Sequence, residues 1–130
     1  MRSHPPRILV VAAHGTDPAL VDLLNAEGVD LRWVAAAPEA TRLLADIRAG
    51  NGRPPDLTIA EAALLDQQSR DELSVLAMRD PRAQLVVLAR VEDGAGRDFA
   101  VIAGAEVLAL PLQAHELSVL RGRLRKARSA

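Results

Sequence analysis

"RILVVAAHGTDPALVDLLNAEGVDLRWVAA", residues 7–36, decides the fold. Residues 7–13 begin with a continuous β-branched run, as a strand buried on both faces requires. "GTDP" interrupts it: Thr16 or Asp17 is placed to cap a helix, and Pro18 sits where a first-turn proline is tolerated. Leu20, Val21, Leu23 and Leu24 form an apolar stripe at helical spacing, and Gly28 ends that helix. Residues 29–36, "VDLRWVAA", return to strand. A helix joining two buried strands makes a parallel pair.

The pattern repeats down the chain. Helical segments are expected at 38–50, 69–79, 96–104 and 113–127, and strands at 56–61, 84–90 and 106–110. Gly50 and Gly104 close two of the helices, and Gly122 is a weak point in the last. Five βα units imply an α/β fold: a doubly wound, flavodoxin-like, five-stranded parallel sheet with helices on both faces. Ligands of such sheets bind beyond the carboxyl ends of the strands. The residues to weigh therefore follow the first, third, fourth and fifth strands.

The totals narrow the function. A chain of 130 residues suits one domain and buries roughly two-thirds of its unfolded surface. Its composition, 49% hydrophobic and 25% charged, is that of an ordinary globular protein. A formal net charge of −1 gives no electrostatic reason to expect nucleic acid or an acidic membrane as partner. The absence of cysteine excludes disulfides and thiolate metal sites and suits a reducing, cytoplasmic location. "MRSHPP" lacks the apolar core of a signal peptide, and no run reaches the ~20 apolar residues of a membrane span. The expected organisation is a leader at 1–6, one domain at 7–127, and a tail or the start of a linker at 128–130.

Specific segments resemble the receiver domain of response regulators. "PPDLTIAE" (54–61) resembles the family's "PDLVLLD" run into its phosphoacceptor, and "LVVLAR" (85–90) its fourth strand. "AGAEVLALPLQAHEL" (103–117) resembles "AGADDYLxKPFxxxEL", one residue shorter between Gly104 and Pro111. The resemblance spans about residues 7–127 and implies a (βα)5 three-layer sandwich.

Position by position, the family's chemistry is missing. Its Mg²⁺-holding acidic pair falls on Ala12 and Ala13, which offer no side-chain oxygen. The phosphoacceptor falls on Glu61, the Thr/Ser on Ala89, the lysine on Leu110, and the switch aromatic on Val107 or Leu108. Lys126, the only lysine, lies far from the motif. Phosphoryl transfer depends on charge neutralisation and positioning, so these losses remove most of its rate. Glu61 reads either as a built-in mimic of a phosphorylated aspartate or as a strand-end carboxylate satisfied by backbone N–H groups. A mixed metal site of His14, Asp17 and Glu61 is a weak reading; "HGTDP" has too few glycines and no lysine for a phosphate loop.

The resemblance thus implies a degenerate, non-enzymatic pseudo-receiver without metal or cofactor, signalling by contact with a protein partner or a fused output domain. A homodimer would use the fourth helix, fifth strand and fifth helix, where Arg97, Asp98, Glu106, Glu116, Arg121 and Arg125 mix both charges. The arginine-rich end of the last helix complements its dipole or leads into an output domain. Two alternatives remain open: a receiver still accepting a phosphoryl group in a phosphorelay, and a small ligand in the same crevice. Ala12, Ala13, Ala89 and Leu110 should make that crevice apolar and favour its closure.

Overall fold

The computed structural model describes residues 5–26, 28–80 and 83–129. Most of the expected leader, the middle of the turn at 80–83, and residue 130 lie outside them. Five strands form one parallel sheet: β1 (Arg7–Val11), β2 (Asp30–Val34), β3 (Leu57–Glu61), β4 (Gln84–Arg90) and β5 (Glu106–Leu110). The helices are α1 (Pro18–Ala26), α2 (Ala37–Arg48), α3 (Gln67–Arg79), α4 (Gly94–Ala103) and α5 (Ala114–Ser129). The strand order β2-β1-β3-β4-β5 is doubly wound, as expected.

Alternation along the strands builds two cores. Ile8, Val10, Leu57, Ile59 and Leu88 meet Leu20, Leu24, Leu120 and Leu124 of α1 and α5. Leu9, Val11, Ala60, Val87 and Ala89 meet Leu44, Leu73, Phe99 and Ala100 of α2, α3 and α4. Both faces of the central strands are therefore dry, which is why their sequences read as unbroken apolar runs.

Element boundaries shift where side chains cap the helices. α3 begins at Gln67, two residues before the expected start, because Asp66 and Ser69 form a reciprocal capping box. A short 3-10 turn at Ala62–Leu64 precedes it. α4 begins at Gly94 rather than residue 96, because Asp93 accepts from the Gly96 N–H at 2.9 Å. Gly104 ends α4 with φ 71°, a left-handed cap that favours glycine. α5 continues to Ser129, past the expected end at 127. Glu116 reaches back to the Gln113 N–H at its start.

Close packing fixes the start of α4. A Cβ on Gly96 would lie 2.6 Å from the Ala62 Cβ and 2.5 Å from Asp93 Oδ2. Gly96→Ala is expected to cost about 1–3 kcal/mol by overpacking, read from the urea unfolding midpoint.

Two surface carboxylates carry a pH dependence. The Ser69 backbone N–H and hydroxyl hold the Asp66 carboxyl below its usual range. The Arg48 guanidinium does the same for Glu72, which it meets at 2.9 and 3.0 Å across α2 and α3. A lowered carboxyl contributes stability that is present above its unfolded pKa and lost as pH falls through its folded one. The unfolding midpoint should therefore drop on acidification below the ordinary glutamate value of 4.5. The Asp66→Asn/Glu72→Gln double variant should show a shallower drop.

Candidate functional site

The carboxyl ends of β1, β3, β4 and β5 place the expected positions side by side. Ala12, one residue past β1, is fully buried, while Ala13 is exposed. The Ala12 N–H donates to the Val34 carbonyl, and its own carbonyl accepts from Trp33 Nε1 at 2.8 Å. The turn is therefore held through backbone groups.

Glu61 closes β3 and is half-buried. Its Oε1 accepts from the Ala13 N–H at 3.0 Å and from the Thr16 hydroxyl at 2.6 Å. The carboxylate ties the end of β3 to the loop after β1. Of the two readings of Glu61, a satisfied strand-end carboxylate describes this geometry, with a hydroxyl added to the backbone donor.

Asp17 ties a second loop to the same end of the sheet. It is 7% exposed. One carboxylate oxygen accepts from the Ala19 N–H at 2.9 Å and the other from the Leu112 N–H at 2.8 Å. Asp17 thus caps α1 and fastens the segment after Leu110–Pro111, whose peptide is cis. His14, Asp17 and Glu61 do not converge: the His14 ring stacks on Trp33 at 5.9 Å. Among the described residues no three His, Asp or Glu side chains group as a metal would need.

Ala89 and Leu110 are buried and, with Glu61, line a crevice of about 270 Å³. Val107 packs with the core that contains Ala89, whereas Leu108 packs on the opposite face. The crevice is mainly apolar, as expected, but packing does not close it as expected; Arg70, Arg90, Glu92 and Asp93 also border it, and Ala12 and Ala13 do not. These charges come from α3, from the last residue of β4 and from the loop after it; only Arg90 falls within the strand segment that the resemblance covers. The Arg70 guanidinium lies over the Phe99 ring, 5.6 Å from its centroid, and Nη2 reaches the Ala62 carbonyl at 3.4 Å. Its Nε is buried without a partner among the described residues.

The six surface positions spread over α4, β5 and α5. Asp98, Arg121 and Arg125 are exposed, and Arg97 is half-buried. Glu106 is ion-paired with Arg123 at 2.7 Å, and Gln84 bonds the same arginine. Val101 and Ile102 of α4 stand 76% and 82% exposed. Sequence reasoning missed four roles: Thr16 as donor to Glu61, Asp17 as anchor for Leu112, Arg70 in the crevice, and Arg123 as partner of Glu106. Only Thr16 and Asp17 left a signal, as candidate caps; the partners of all four are 17 to 95 residues away or on another element.

No family model and no curated protein matches the sequence. Solved structures do. The signal receiver domain of an HD domain-containing protein from Pseudomonas fluorescens Pf-5 superposes with a TM-score of 0.70 at 23% identity, covering 98% of this chain and 100% of that one. A CheY-like response regulator receiver domain protein from Methanospirillum hungatei JF-1 gives 0.69 at 20%, covering 97% and 98%. NtrX from Brucella abortus gives 0.66 at 20% over 97% of this chain and 27% of its own longer one. The chain has the fold of the response-regulator receiver domains.

Proposed function

We propose that the protein is a receiver-like signalling module that works by protein contact, without aspartate phosphorylation or Mg²⁺. One observation carries the reading. At the strand ends, Ala12, Ala13, Ala89 and Leu110 stand where receivers carry chemistry, while Glu61 is committed to Ala13 and Thr16. Mg²⁺ requires hard oxygen ligands in octahedral array, and alanines supply none. A partner or fused output domain would read a surface rather than a switch. The exposed Val101, Ile102 and Asp98 of α4 and the exposed Arg121 and Arg125 of α5 support the α4–β5–α5 face as that surface. A cytoplasmic setting accords with this role.

The direct test follows backbone amides around Glu61 and Ala89 by NMR during addition of Mg²⁺ and then beryllofluoride. No shifts at millimolar Mg²⁺ are expected; saturable shifts centred on Glu61 would return the protein to the phosphorelay. Glu61→Ala removes two hydrogen bonds and should cost about 1–3 kcal/mol of stability in urea unfolding, while leaving partner capture intact. Loss of capture by a folded Glu61→Ala protein would favour Glu61 as a fixed phosphate mimic.

A further inference from the structure

We propose that the β2 edge of the sheet is a self-association surface, on which a second copy of this chain pairs antiparallel about Leu31. β2 ends the sheet, so among the described residues no strand lies on the other side of its backbone. The Asp30 N–H donates to the Pro6 carbonyl, and the Val34 carbonyl accepts from the Ala12 N–H. Residues 30, 32 and 34 therefore spend their backbone groups on β1. By alternation, Leu31 and Trp33 direct theirs outward.

An antiparallel partner centred on Leu31 would exchange both hydrogen bonds of that residue with its own copy. That register sets Asp30 directly opposite the second copy's residue 32, an arginine, and Arg32 opposite its residue 30, an aspartate. The two ion pairs are imposed by the two-fold axis and need no further fitting. Moving the axis to Asp30 or Arg32 would place like charges face to face, and moving it to Trp33 would leave both charges without an opposite partner, so the Leu31 register alone pairs them.

The side chains at this edge are available. Asp30 is 59% exposed and shares one oxygen with Arg7 at 3.3 Å. Arg32 is exposed and has no partner among the described residues. Leu31, at 36%, is one of the few large exposed hydrophobics. Shallow depressions flank the strand on both sides, one containing Arg32 and Leu43, the other Leu31, Trp33 and His14. The opposite edge offers no equivalent: about Leu108 of β5, Glu106 would face a leucine, and Glu106 is already held by Arg123. Charges on an edge strand ordinarily discourage pairing. Here their order discourages every partner but a complementary one. The proposal is independent of the α4–β5–α5 reading, since β2 and β5 lie at opposite edges of the sheet.

The test is sedimentation of the full chain and two charge reversals, with circular dichroism to verify folding. Arg32→Asp and Asp30→Arg each place like charges at both contacts and should weaken self-association by roughly tenfold or more. Mixed one to one, the two variants face each other with complementary charges and should form a heterodimer that neither forms alone. A misfolded variant would not be rescued by mixing. A wild-type chain that stays monomeric at its highest soluble concentration would overturn the proposal. So would an association unchanged by either reversal, or a mixture that stays apart.

Discussion

Two dry faces on one parallel sheet are the constraint from which the rest follows. The central strands cannot be left bare on either side, so the crossovers lay helices back over both faces of the sheet. α1 and α5 cover one face; α2, α3 and α4 cover the other. The loops that make these crossovers leave the carboxyl ends of the strands, so a crevice forms there whatever residues line it. Site shape is a property of the winding; site chemistry is a property of a few side chains.

What holds the crevice end together is a set of long-range polar ties. Glu61 grips the loop after β1, Asp17 joins the start of α1 to Leu112, and Trp33 bonds the Ala12 carbonyl. Each joins segments far apart in sequence. An ionised carboxylate accepting two hydrogen bonds has its charge compensated locally. Thr16 and a backbone N–H do for Glu61 what a cation would do for a phosphoryl group. Two arginines border the crevice, Arg70 from α3 and Arg90 from the end of β4, with Arg70 set over Phe99.

With the interior committed to structure, the variable chemistry lies on the two sheet edges and the helices beside them. The β5 side presents Val101 and Ile102 beside mixed charges, with Glu106 and Arg123 already satisfied internally. The β2 side presents an open backbone with an aspartate and an arginine flanking a leucine. Two self-complementary surfaces at opposite edges would generate a chain of molecules rather than a closed dimer, if both engaged copies of the same protein.

The sequence alone determined the order and type of the elements, because burial on two faces writes an unbroken apolar run and burial on one face writes a helical stripe. β4 and β5 fall on their expected residues. It also determined which strand-end positions lack oxygen and cation, since alanine and leucine have neither in any conformation. Tertiary structure decided the helix starts at Gln67 and Gly94, where Asp66 and Asp93 outcompete the apolar pattern. It decided the partners of Glu61, Asp17, Arg70 and Arg123, and with them the charged groups that border a mainly apolar crevice. Spacing along the chain encodes contacts within an element, whereas these partners meet only once the sheet has wound and brought its loops to one end.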